Sequence, residues 1–217
     1  MQKAFLFDMD GVIIDSERVW GTIEENLMTG MFGKEIYGAL KKTGLTGSNL
    51  NSIHAQAVKL GATIPREEYL GRFNEAAQYV YRHAPLTEGI EEFAKELLKQ
   101  NFKLGLVSAS PLNWIEMMFK KMSIRDSFTC IISLHERNDL QPKPAPDGYR
   151  EAMNIIQAPP SKTLVLEDSR HGINAGLAAG AFTICLRQNW PDGYEAKGAD
   201  LYVDSLPSLR EKINSII

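Results

Sequence analysis

Five short apolar runs, nearly free of polar alternation, limit what this chain can fold into. They are AFLF (4–7), KLGLVS (103–108), FTCIIS (128–133), TLVLED (163–168) and FTICL (182–186), with LYVDS (201–205) a weaker sixth. A strand with one wet face alternates apolar and polar residues. Continuous apolarity suits strands covered on both faces, as in a parallel sheet. The stretches between the runs read as helices. Ile90, Phe93, Ala94, Leu97 and Leu98 have helical spacing behind a Thr87 cap. Ser110-Pro111 reads as a cap followed by a first-turn proline, opening a helix that reaches about Met122. Strands alternating with helices predict an α/β fold, a Rossmann-like doubly wound, mainly parallel sheet.

One region breaks that rhythm. No strand is predicted between Ser16 and Pro85. Val19, Ile23, Leu27 and Met31 are spaced by four, and further helical patterns cover about 34–42, 49–60 and 66–83, punctuated by Gly33, Gly44, Gly47 and Gly61. This predicts an all-helical insert directly after the first strand. In an open parallel sheet, ligands bind beyond the carboxyl ends of the strands, so such an insert would roof the site as a cap. The expected division is a core of residues 1–16 and 84–217 and a cap of residues 17–83.

The net charge of -3 over 217 residues offers no general attraction for nucleic acid or an anionic membrane. No apolar run has the length of a membrane span, and no basic stretch leads into a signal-like core. Cys130 and Cys185 fall inside strand-like runs and read as small buried hydrophobes, in keeping with a reducing cytoplasm. A cytoplasmic monomer is expected.

The carboxyl ends of the runs carry the chemistry. The first ends on Asp8-Met9-Asp10, the second on Ser108-Ala109-Ser110, and the fourth on Glu167-Asp168; Lys143 lies in QPKPAPDGY (141–149), ahead of the helix leading to the fourth. If the strands are parallel, these groups meet at one edge. Clustered carboxylates repel and must be neutralised, and hard oxygen ligands with few nitrogens suit Mg²⁺. Ser108, the amides after it and a helix N-terminus form an anion cradle, to which Lys143 adds a point charge. These are the parts needed for phosphoryl transfer to an aspartate. His54, His83, His135 and His171 show no shared metal spacing, and NWPDGY (189–194) reads as a surface turn.

With DMDGV (8–12), the strand-ending Ser108, Lys143 and EDSRHGINAGLAAG (167–180) in this order, the sequence resembles the haloacid-dehalogenase superfamily of phosphohydrolases. DSERVW (15–20), SASPLNWIE (108–116), RDSF (125–128) and the position of the insert resemble its beta-phosphoglucomutase and sugar-phosphatase branch. The resemblance implies that Asp8 is the nucleophile and Asp10 the acid and base. It implies that Asp8, the backbone carbonyl of Asp10 and Asp168 hold Mg²⁺, with Glu167 binding directly or from behind. Ser108, the Ala109 N–H and Lys143 would grip the phosphoryl oxygens. Trp20, Lys42 and Arg72 are candidate cap contacts, and a small phosphorylated metabolite, a sugar or polyol phosphate, is the expected partner.

Mutases of this branch carry a histidine where Trp20 stands, and indole exchanges no proton. Their cap arginine, which holds a second phosphate, has no counterpart in KKTGLTGSNL (41–50). A phosphatase is therefore favoured over a phosphosugar mutase. Dehalogenation is disfavoured by Asp10 and the Glu167-Asp168 pair, and an inactive binding protein by the intact motif set.

Overall fold

The computed structural model describes residues 2–43 and 50–216. Six parallel strands form one sheet in the order β3-β2-β1-β4-β5-β6: β1 (Lys3–Phe7), β2 (Phe102–Ser108), β3 (Phe128–Ser133), β4 (Thr163–Glu167), β5 (Phe182–Leu186) and β6 (Leu201–Val203). All six predicted runs are strands. β1 shows why they read as unbroken apolar sequence. Phe5 and Phe7 point into one buried cluster and Ala4 into another on the opposite face, so neither face meets water. On the phenylalanine side lie α4 (Ile90–Lys99), α5 (Leu112–Phe119) and α8 (Leu206–Ile216); on the other lie α6 (Asp147–Ile156) and α7 (Arg170–Ala178). Phe93 of α4 meets Phe5 edge-on, with ring centroids 5.3 Å apart. Cys130 and Cys185 are buried and unpaired.

The insert is helical, as predicted. α1 (Glu17–Thr43) breaks at Gly33, whose φ of 78° is left-handed, so the pattern read at 34–42 is its second half. α2 (Leu50–Lys59) and α3 (Arg66–His83) complete it. Gly44 and Gly47 lie outside the described residues. The chain leaves and re-enters the core along one seam, where Asp15 N–H donates to Pro85 O (3.0 Å) and Thr87 N–H to Ile13 O (2.9 Å).

Two helix starts differ from prediction. α4 begins behind Gly89, in the left-handed region at φ 84°, while the Thr87 hydroxyl oxygen accepts from Asn189 Nδ2. α5 begins behind Pro111 without a side-chain cap, because the Ser110 hydroxyl is taken elsewhere, and it ends at Phe119. No helix among the described residues is long and apolar enough to cross a membrane.

Candidate active site

The carboxyl ends of β1, β2 and β4 are adjacent because those strands are adjacent. Asp8 directly follows β1, Ser108 ends β2, and Glu167 ends β4 with Asp168 next. One cavity under the insert is lined by Asp8, Asp10, Ser108, Ala109, Lys143 and Asp168.

Lys143 is buried and uses its ammonium inside the chain. It donates to Asp8 Oδ1 (2.5 Å), Glu167 Oε1 (2.5 Å) and Val107 O (3.0 Å). In this arrangement its three donors meet groups of the chain itself, and Lys143 also lines the cavity beside Asp8. Burial alone would pull the ammonium's pKa down, but Asp8 and Glu167 outweigh it and hold it above the ordinary lysine value.

Glu167 is fully buried and committed on both oxygens. Oε1 also accepts from the Tyr149 hydroxyl (2.5 Å), and Oε2 faces the Asp168 N–H and the Ser169 hydroxyl. Asp8, Glu167 and Asp168 each offer an oxygen within 4.8 Å of the others. One ammonium cannot neutralise three buried carboxylates. Burial pushes Asp8 well above the usual carboxylate range; Lys143 opposes this, and Glu167 and Asp10 add to it. Burial does the same to Asp168, reinforced by Asp8 and Glu167. A buried, all-oxygen, over-negative cluster fits a hard divalent cation.

Gly11 keeps this cluster tight. Its φ is +80°, and a Cβ there would sit 1.9 Å from Asp168 Oδ2. Gly172 plays a similar part in α7, where a Cβ would lie 1.9 Å from Glu167 Oε1.

Asp10 is held by hydroxyls from three parts of the chain. Ser16 (2.5 Å) and Tyr81 (2.8 Å) donate to Oδ1, and Ser110 (2.7 Å) donates to Oδ2. Ser108 accepts from the Ser110 N–H at 3.0 Å, which leaves its own proton to donate. Sequence reading missed Ser16, Tyr81 and Tyr149, and placed Ser110 at this edge only as a helix cap. NWPDGY is the surface turn expected, with Pro191, Asp192 and Gly193 exposed. It has a further part in the site: Trp190 Nε1 donates to Asp168 O (2.8 Å), and Asn189 Nδ2 donates to Gly11 O (3.1 Å), so this loop braces both acidic turns.

Of the cap candidates, Trp20 lines the cavity. Lys42 is exposed and absent from its lining. Arg72 is likewise absent, because it pairs with Glu68 one turn back on an exposed face of α3 (2.7 Å). The stretch 44–49, compared above with the mutase cap, lies outside the described residues.

The architecture is a doubly wound α/β core with a helical insert over an acidic strand edge. The chain belongs to the haloacid dehalogenase-like hydrolases, whose family model matches residues 5–186. It is 30% identical over 181 residues to hexitol phosphatase B of Escherichia coli, covering 81% of this chain and 79% of that protein. It is 28% identical to the beta-phosphoglucomutase of Bacillus subtilis, covering 95% and 91%. Among solved structures, CbbY of Rhodobacter sphaeroides in complex with xylulose-(1,5)bisphosphate superposes with a TM-score of 0.78 at 23% identity, covering 96% of each chain.

Proposed function

We propose that this protein is a Mg²⁺-dependent phosphatase of small phosphomonoesters, sugar or polyol phosphates, working through an aspartyl-phosphate on Asp8. The observation that carries the reading is the single cavity shared by Asp8, Asp10, Ser108, Lys143 and Asp168. The hexitol phosphatase relative supports the substrate class.

Lys143 holds Asp8 Oδ1, so the nucleophile is fixed and its other oxygen is left for phosphorus. Asp8 attacks, the ester P–O bond breaks, and Asp10 gives its proton to the departing alkoxide. Water then attacks the aspartyl-phosphate while Asp10 takes a proton from it, and Asp8 is released. Ser108, the Ala109 N–H and Lys143 orient the phosphoryl oxygens. A Mg²⁺ held by Asp8, the Asp10 carbonyl and Asp168, with Glu167 supporting them from behind, supplies the positive charge that lets an anion approach an anion. The core of residues 1–16 and 84–217 and the cap of residues 17–83 act as two units closing on substrate.

Trp20 in the cavity wall supports hydrolysis over mutation, since it cannot exchange a proton. The deciding experiment measures phosphate release from a generic aryl phosphate with and without Mg²⁺, and from Asp8→Asn. Loss of turnover in a folded Asp8→Asn protein is expected, and near-normal rates would refute the assignment. Conversion of an aldose 1-phosphate into its 6-phosphate, with no free phosphate, would favour the mutase.

A further inference from the structure

The cap side of the cavity has a chemistry of its own. Glu17, Trp20 and Glu24 lie on one stripe of α1 and all line the cavity. Phe73 and Tyr81 of α3 and Trp114 of α5 complete that wall. The rings form a continuous group, with Trp20 centred 5.5 Å from Trp114 and 5.8 Å from Phe73, and Tyr81 5.7 Å from Trp114. Among the described residues neither Glu17 nor Glu24 has a hydrogen-bond or ion-pair partner. Both are partly buried at a wall that otherwise offers chiefly ring and aliphatic surface.

Lys143, on the floor, is the one cationic side chain among the described lining residues. Lys41 is near enough to pull on Glu24, but it is exposed, lies over the Tyr37 ring and is outside the lining. The undescribed stretch 44–49, GLTGSN, carries no charged residue. Burial first, then the repulsion of Asp10, Glu24 and Asp15, holds the Glu17 carboxyl up at about 7, so placing a further anion beside it is unfavourable.

We propose that Glu17 and Glu24 are specificity residues that accept hydrogen bonds from the hydroxyls of an uncharged polyol tail, and that they exclude substrates carrying a second phosphate or a carboxylate. This deepens the phosphatase reading and rests on it. A phosphomonoester whose phosphate sits at Asp8 must place its tail under α1. A hydroxylated tail supplies donors to two unpartnered acceptors and lays its C–H surface on Trp20 and Trp114. A second phosphate there would meet two acidic side chains and no cation in the described lining, which is discrimination against an anion as well as attraction for hydroxyls.

The test compares kcat/KM, in the presence of Mg²⁺, for a hexitol 6-phosphate, the matching hexose 1,6-bisphosphate and p-nitrophenyl phosphate, which has no hydroxyl tail. The wild type is expected to prefer the hexitol monophosphate over the bisphosphate by about a hundredfold or more, the scale of an unpaired charge at a desolvated site. Glu24→Leu is expected to lower the hexitol-to-aryl ratio about ten- to hundredfold, the loss of a hydrogen bond to a charged acceptor. Glu24→Lys is expected to raise the bisphosphate-to-monophosphate ratio. Glu17→Gln, which keeps size and one acceptor, covers the case of a Leu or Lys variant that does not fold, and is expected to relax the exclusion of bisphosphate. Ratios unchanged within about twofold in every folded variant overturn the subsite while leaving the phosphatase reading intact. Preference for an amino-sugar phosphate over the hexitol phosphate overturns the choice of an uncharged tail. No phosphate release from any substrate defeats the phosphatase reading and this one with it.

Discussion

Tyr81 donates its phenol to Asp10 Oδ1 across 2.8 Å, joining the end of the helical insert to the strand edge 71 residues away in sequence. Burial, followed by the charge of Asp10, keeps the phenol pKa well above that of free tyrosine, so it stays a donor. Tyr81 also packs on Trp114 of the core. The residue proposed as acid and base is therefore positioned partly by the insert, and its orientation depends on where α3 sits.

Tyr81→Phe removes that donor and little else. Ser16 and Ser110 still hold Asp10, so the fold should survive. A hydrogen bond to a charged group is worth about 1.5–3 kcal/mol, so kcat is expected to fall about tenfold or more. KM should stay within about threefold, because the phosphate contacts are untouched. Equal kcat values for the two proteins would show that the link is idle.

Lys143 gives a second prediction. It is the cation between Asp8 and Glu167, and it is buried. Lys143→Met strands two carboxylates, and breaking a buried pair costs about 3–5 kcal/mol. The pH dependence follows in sign. Asp8 is already pushed up by burial, and losing Lys143 pushes it further, so lowering the pH protonates it and relieves the cost. Urea unfolding in a chelator should show the gap between variant and wild type narrowing from about pH 8 to about pH 5. A gap independent of pH would mean that lost packing, not charge, explains the damage.

These two residues also show what sequence could and could not reveal. The strands were legible because both faces of the sheet are buried, so Ala4 and Phe5 are equally apolar though they point opposite ways. The acids at 8, 10, 167 and 168 were legible because they end those runs. Tyr81, Ser110 and Trp190 were not, because their partners lie 71, 100 and 22 residues away and no local spacing marks such a contact. Ser110 fitted a local capping rule, but the pull of Asp10 prevailed. Arg72 is a cationic side chain on a cap helix, where an exposed charge is the common outcome, and Glu68 at i−4 supplies its partner.

Gly11 carries the third prediction. Gly11→Ala must hold a left-handed φ, costing about 1–2 kcal/mol, and its methyl would displace the Asp168 carboxylate. Saturating Mg²⁺ at about a hundred times its Kd should stabilise the wild type by about 2.7 kcal/mol. In Gly11→Ala that increment should disappear, read as a Tm that no longer responds to Mg²⁺. An undiminished Mg²⁺ response would mean that Asp168 is no part of the cation site.

Glu17 tests the electrostatics of the cavity without reference to turnover. Burial first, then repulsion by Asp10, Glu24 and Asp15, raises its carboxyl from 4.5 to about 7. A carboxyl raised on folding is protonated more readily in the folded chain than in the unfolded one. Folding is unaffected by this below about pH 4, where both states hold the proton. Stability is lost as pH rises from about 4.5 to about 7, because the unfolded chain releases its proton first, and the loss is complete above that window. Glu17→Gln removes the ionisation while keeping the shape. In a chelator, the variant is therefore expected to be little changed near pH 4 and more stable than wild type near pH 8, by about 1–2 kcal/mol. Thermal or urea unfolding at the two pH values reads the difference directly. A variant that is destabilised equally at both would mean that the Glu17 carboxylate is not held at an energetic cost in this cavity.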